Sequence, residues 1–202
     1  MTDRNGRWAD AAKLAAWAAL MTPLTILIHE LGHFSVGLAT GLPVELHPTS
    51  VSGGAEPGAA ADWLVALQAG AGPILTVVMA VAFAALNKSG PGRLWALAGA
   101  IAAASRLLVT TAFLGMRLLL LVLGRPFQGT PNFDEHNVAR ALGLPPMLLA
   151  AAASLFLVGL YAWLLRRIPR GRRLPFVFAS IAGVAAGAVA WTALPPPVLL
   201  SA

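Results

Sequence analysis

The residues best suited to act together in a chemical reaction are two histidines and a glutamate in the sequence HELGH at residues 29–33. On a helix, the i, i+4 spacing puts His29 and His33 on one face, where both imidazoles can bind one metal ion. Glu30 directly follows the first histidine, so it lies beside that metal without having to bind it. A metal held in this way polarises a carbonyl and acidifies water, and an adjacent carboxylate can take and return the proton. The spacing therefore predicts metal-dependent hydrolysis.

The surroundings of HELGH strengthen this prediction. Between residues 14 and 44, the only ionisable side chains are His29, Glu30 and His33. Ionisable groups in an apolar, membrane-spanning helix are costly, so they usually serve a function. The alternative is a pair of helix histidines that merely hydrogen-bond to their neighbours. Because HExxH is the motif of zinc peptidases, we expect Zn²⁺ as the cofactor, with other divalent ions that imidazole binds as alternatives.

The composition indicates the class of protein. The chain has 202 residues, of which 58% are hydrophobic and 11% charged, and its mean hydropathy is +0.76. Too few polar residues are left to cover a soluble globule of this size, so we expect a polytopic membrane protein with the lipid bilayer around it. Because the chain has no cysteine, disulfides and thiolate metal sites are excluded. The net charge of +6 comes from basic residues at the ends of apolar segments, so nucleic acid is not an expected partner.

Apolar segments predict an all-α polytopic fold, formed as a single membrane-embedded domain over residues 1–202. The first segment starts with a basic flank, as a signal peptide does, but it continues into HELGH, so we interpret it as an uncleaved span. After it, the alternating residues 44–47 predict a short extended or hairpin loop. About five transmembrane helices are predicted, at about residues 8–40, 63–86, 94–123, 147–165 and 174–194.

Lysine and arginine residues predict how these helices are oriented. They concentrate in the N-terminal segment and at residues 88–93 and 166–173, which share one side of a five-span protein. The positive-inside rule makes this side cytoplasmic, so the loop at residues 43–61 and the polar residues 124–137 lie together on the other side. We expect a multi-pass integral protein of a prokaryotic cell (inner) membrane.

Arg106 lies within the third predicted span, about 18 Å of helix rise beyond its first residue. At that depth its guanidinium cannot easily reach water, so we expect it to face the interior of the bundle. Two roles are open for it: hydrogen bonding to backbone carbonyls, or lining the site formed by HELGH.

A catalytic zinc needs a third protein ligand besides the two histidines, and an open position for water. Asp134 is our choice, because it follows a Pro/Gly-rich break after the third span, where an unwound segment could turn its carboxylate inward. In the alternative, Asp134 only caps a short helix that ends near residue 141. The other candidates on the same side of the membrane are Glu135, His136, Glu45 and His47.

Three features follow one another along the chain. They are HELGH in an apolar helix, Ala-Gly-Pro at residues 71–73 in a later span, and an Asp after a third long span, followed by a short helix and Leu-Gly-Leu-Pro at residues 142–145. Together they resemble the site-2 protease family of intramembrane zinc metalloproteases, over about residues 20–146. Two positions differ, since the family commonly has Asn where this chain has Thr76, and Gly where it has Glu135.

The resemblance implies that His29, His33 and Asp134 bind zinc and that Glu30 is the catalytic base. It also implies a metalloprotease core at about residues 8–146, with C-terminal transmembrane spans at about residues 147–194. The loop after the first span would be the hairpin that presents an extended substrate strand near the metal.

The expected function is therefore that of an intramembrane zinc metalloendopeptidase, which cleaves a peptide bond in or near a transmembrane segment of a membrane protein. Its partner would be a transmembrane protein or peptide substrate. The alternative is a catalytically inactive, metalloprotease-like scaffold or regulator that binds a partner's transmembrane helix. A small-solute transporter, with Arg106 and the histidines along its path, is a third possibility.

Overall fold

The computed structural model describes residues 4–55, 58, 60–87, 94–125, 133–145, 147–193 and 199–201. In these residues the helices are α1 Arg4–Ala39, α2 Asp62–Leu86, α3 Leu94–Ser105, α4 Leu108–Val122, α5 Asp134–Ala141, α6 Leu148–Arg167 and α7 Arg173–Thr192. The strands are β1 Val44–His47, β2 Ser50–Gly53 and β3 Leu200–Ser201.

The fold is that of an all-α polytopic membrane protein, as the apolar segments predict. Among the described residues, four stretches are long and apolar enough to cross a membrane, and α3 and α4 together make a fifth if the bent pair is one span. The four are Trp8–Ala39, Asp62–Leu86, Leu148–Arg167 and Arg170–Thr192.

The prediction of one continuous helix over residues 94–123 is wrong. α3 and α4 meet at an angle of 43°, and Arg106 and Leu107 form the turn between them. The amides of these two residues bond to carbonyls three residues back rather than four, which is the tighter geometry found where an α-helix ends. The β-branched run at residues 109–111 begins two residues after this turn, and such residues form helix less readily. The Arg106 side chain at this break is partly buried.

The HELGH helix α1 is held by neighbours on several sides, since α2, α3 and α7 all pack against it. Gly183 and Gly187 of α7 lie so close to α1 that a Cβ at either position would collide with a backbone carbonyl, of Ala15 or Ala19 respectively. Small residues at this four-residue spacing allow two helices in a membrane to approach closely. On another side, every α3 residue from 96 to 104 is buried. These contacts make α1 a rigid support for the site.

The predicted hairpin after α1 is confirmed as β1 and β2, which pair antiparallel with Val44 opposite Gly53. The sequence did not predict β3, which pairs antiparallel with β1 and gives the strand order β2-β1-β3. The indole Nε1 of Trp191 also donates a hydrogen bond of 2.9 Å to the carbonyl of Pro48. The hairpin is therefore attached to the C-terminal part of the chain. Strand β2 is an edge strand of the sheet.

Different elements flank the two ends of the HELGH helix α1. At one end, Arg172 donates a 2.9 Å hydrogen bond to Asp10, so the N-terminal part of α1 lies beside the basic turn between α6 and α7. The basic residues 88–93 lie outside the described residues. At the other end, the hairpin and α5 flank the HELGH part of α1.

Candidate metal centre

The three polar side chains of HELGH in α1, His29, Glu30 and His33, are buried in the protein. The exposed fraction is 4% for His29, 4% for Glu30 and 8% for His33. The Nε2 atoms of the two histidines are 3.2 Å apart, as expected for residues one helical turn from each other on one face. The helix thus presents two imidazole nitrogens to the same small volume.

The short helix α5 brings Asp134 to these nitrogens across 105 residues of sequence. Its Oδ2 lies 3.0 Å from Nε2 of His29 and 3.3 Å from Nε2 of His33. The alternative in which Asp134 caps the helix is wrong, because Phe133 occupies the N-cap position and Asp134 is the first helical residue. The carboxylate is thus free to turn toward α1.

These three atoms form a nearly equilateral triangle with sides of 3.0, 3.2 and 3.3 Å. In a tetrahedral site with metal–ligand bonds of 2.0–2.1 Å, neighbouring ligand atoms are about 3.3 Å apart. The triangle therefore has the size of one face of such a tetrahedron, and the fourth corner is left for water or substrate. Among the described residues, His29, His33 and Asp134 are the group of side chains that could hold a metal ion.

The Nδ1 atoms of both imidazoles, which face away from the triangle, have hydrogen-bond partners. These partners hold the rings so that the Nε2 atoms, the inner nitrogens, face the triangle. Nδ1 of His33 lies 2.7 Å from the backbone carbonyl of Gln68, and Nδ1 of His29 lies 2.8 Å from Oγ1 of Thr76. A carbonyl only accepts, so Nδ1 of His33 carries the hydrogen and the neutral ring has its Nε2 lone pair directed inward. A lone pair and a carboxylate at 3.3 Å repel each other unless a cation or proton lies between them. The donor set therefore fits a metal cation.

Thr76 gives a test of this arrangement, because its hydroxyl is the partner of Nδ1 of His29. Partners that hold the outer nitrogen of a ligating histidine typically contribute 10–100-fold to metal affinity. We expect Thr76→Val, which keeps the shape but removes the hydroxyl, to weaken zinc binding by about 10–100-fold, whereas Thr76→Ser stays near wild type. Competition with a zinc chelator of known affinity measures this, and equal affinities for both variants would contradict the assigned role.

The other candidate ligands do not reach the triangle. Glu135 accepts a 3.0 Å hydrogen bond from the hydroxyl of Thr110, and burial raises the pKa of Glu135 despite that bond. The ring of His136 lies against Phe133. His47 and Glu45 face each other across 3.7 Å on the hairpin.

The charge of Asp134 is also set by its neighbours. Burial by itself would raise the pKa of Asp134, but the imidazoles of His29 and His33 beside its carboxylate outweigh burial and hold the pKa well below its usual range. A carboxylate that is ionised at neutral pH is the form that binds a metal.

Glu30 has a partner that sequence reasoning did not identify. Nη2 of Arg106 donates a 2.9 Å hydrogen bond to Oε1 of Glu30, across 76 residues of sequence. The prediction that Arg106 faces the bundle interior is confirmed, since it lines a cavity of about 570 Å³ together with Glu30 and the three triangle residues. The depth of Arg106 was the signal in the sequence, but depth alone does not name the partner. Strand β2 and the first turn of α4 line the same cavity, through Ser50, Val51, Gly53, Val109 and Thr110.

Comparisons with protein-family models, with curated proteins and with solved structures found no match for this chain. The likeness to site-2 proteases therefore depends on the motif residues themselves. A function has to be argued from the geometry of the site and from the elements around it.

Proposed function

We propose that this protein is an intramembrane zinc metalloendopeptidase, similar to the site-2 proteases, that cleaves a peptide bond in or near a transmembrane segment. The observation that carries the proposal is the triangle of His29, His33 and Asp134, with Glu30 next to the first histidine. A scaffold would have no use for a buried carboxylate at this position, whereas peptide hydrolysis needs a base there. This favours the enzyme over the inactive scaffold.

The three triangle residues would hold the zinc ion through their inner nitrogens and Oδ2. When bound, zinc polarises a carbonyl oxygen and makes water a better nucleophile. Glu30 takes a proton from the attacking water and returns it to the leaving amine of the cleaved bond. Because Glu30 is 4% exposed, that exchange takes place in a volume largely shielded from bulk solvent.

Strand β2 is suited to present the substrate. A transmembrane helix hides its carbonyls in its own hydrogen bonds, so a substrate must be extended before it can be cut. β2 is an outer strand of the sheet and lines the cavity that contains the triangle. A peptide paired with this edge would be held extended by backbone hydrogen bonds, with its carbonyls near His29 and His33. The substrates would be membrane proteins that share the bilayer of a prokaryotic cell (inner) membrane with the enzyme.

The proposal is tested with protein purified in detergent and fluorescently labelled casein, an unstructured probe whose carbonyls are accessible without unwinding. We expect slow hydrolysis that a zinc chelator abolishes and that added Zn²⁺ restores. Hydrolysis that is indifferent to the chelator, or no hydrolysis by zinc-loaded protein, would overturn the proposal and favour the scaffold.

A further inference from the structure

A partly buried ion pair joins the HELGH helix to the break between α3 and α4, and the chemistry proposed above does not use it. The side chain of Glu30 is 5% exposed and that of Arg106 is 30% exposed, with 2.9 Å between Oε1 and Nη2. The carboxylate of Glu30 loses most of its hydration on burial, and its attraction to the half-buried guanidinium offsets only part of that cost. The pair therefore needs an explanation beyond stability.

We propose that Arg106 is a positioning residue, which holds the carboxylate of Glu30 in the orientation that proton transfer requires. This inference rests on the function proposed above, in which Glu30 is the base. With one oxygen of Glu30 fixed by the guanidinium, the carboxylate has one orientation and its other oxygen serves for proton transfer. Holding a reacting group in one geometry accounts for a large part of enzymatic rate enhancement.

The backbone around Arg106 supports this role, because it is fixed on one side. α3 is buried from Ala96 to Ala104 and ends at Ser105, whereas Thr110 is the buried residue of α4. Arg106 follows the end of the fixed helix directly, so its Cα has little freedom to move relative to α1, against which α3 packs. A continuous helix would not place the Arg at this turn. The break at residues 106–107 thus serves to deliver the guanidinium to Glu30.

A purely structural role fits the pair less well. Replacing a buried ion pair by apolar side chains of similar size is often neutral or stabilising. In addition, Nε of Arg106 is buried without a hydrogen-bond partner among the described residues, and such an unmet donor is destabilising. An Arg that brings these costs into a membrane protein interior usually has a function.

The test compares Arg106→Met, which removes the charge at similar length, with Arg106→Lys, which keeps the charge but loses the planar fork. With labelled casein as the probe, we expect Arg106→Met to lower kcat by about 100-fold, since positioned acid–base groups contribute 10²–10⁴-fold. KM and zinc content stay near wild type, and Arg106→Lys recovers part of the lost kcat. The matched control is Arg117→Met on α4, where the guanidinium lies 5.9 Å from the centre of the Phe113 ring.

A second measurement examines the pair without any substrate. Arg106→Met leaves a buried carboxylate unpaired, so we expect it to lower the thermal unfolding midpoint, and the double variant with Glu30→Gln to recover most of that loss. If Arg106→Met does not fold, Arg106→Lys carries the kcat measurement, and the unfolding midpoints of Arg106→Lys and of the double variant are compared with wild type.

Two failures can be told apart. If wild type cleaves casein and Glu30→Gln does not, but the Arg106 variants have the kcat of wild type, the positioning role is wrong and the proposed function stands. A loss that appears in KM or in zinc content, rather than in kcat, also contradicts the role. If wild type itself does not cleave in a zinc-dependent way, the proposed function fails and this inference fails with it.

Discussion

Glu30→Gln abolishes hydrolysis of labelled casein and leaves the zinc content unchanged, if Glu30 is the base. The amide keeps the size of the side chain but cannot accept the proton of the attacking water, so we expect the rate to fall by about 10²–10⁴-fold. Zinc is retained because the three atoms of the triangle belong to other residues. Cleavage rates and metal content are measured on the same purified samples.

The matched control for this experiment is Glu45→Gln on the hairpin, a glutamate that faces His47 rather than the triangle. It should cleave at the rate of wild type. Retained cleavage by Glu30→Gln would contradict the mechanism, and loss of zinc from that variant would instead make Glu30 part of the metal site.

Gly72→Ala is expected to have the second large effect, which is loss of the metal. A Cβ at Gly72 would overlap Nε2 of His33 and lie 2.8 Å from Nε2 of His29, so the new methyl group occupies the space beside two ligand atoms. Metal–ligand distances in a well-formed site lie within about 0.2 Å of their ideal values, and a displaced imidazole would leave that range. We therefore expect zinc affinity to fall by 100-fold or more, beyond the 10–100-fold typical of changes in the surrounding residues.

Gly70→Ala on the same helix is the control for a general effect of adding a methyl group to α2. A Cβ at Gly70 meets its nearest atom, Cγ2 of Val138, at 3.6 Å, which is ordinary van der Waals contact. This variant should keep both its zinc and its thermal unfolding midpoint. Zinc binding by Gly72→Ala at wild-type affinity would show that the inner nitrogens do not meet beside this glycine.

Local patterns in the sequence were sufficient to predict much of the fold. The apolar segments predicted the spans, and the alternation at residues 44–47 predicted the hairpin. The turn residues after Ala141 predicted the end of α5. The i, i+4 spacing of His29 and His33 fixed their shared face, because helix geometry alone determines it. The structure places the carboxylate of Asp134 beside both histidines, and its role as a metal ligand stays a prediction.

Contacts between distant parts of the chain were not predictable in this way. Thr76 is 47 residues from His29, and Arg106 is 76 residues from Glu30. Periodicity tells which face of a helix is buried, but it does not tell which side chain that face meets. The break at residues 106–107 was missed for the same reason, since Arg and Leu both form helix readily and the contact with Glu30 is not local. The pairing of β3 with β1 also depends on how α7 packs.

The most direct test of the central claim is the zinc content per chain of the purified protein, measured by inductively coupled plasma mass spectrometry after loading with Zn²⁺. We expect about one zinc per chain in wild type, because the triangle has three ligand atoms and one open corner. His33→Ala and Asp134→Ala should lose it, whereas Glu135→Gln and His136→Ala should keep it. No bound metal in wild type, or zinc retained without Asp134 and lost without His136, would contradict the assigned site.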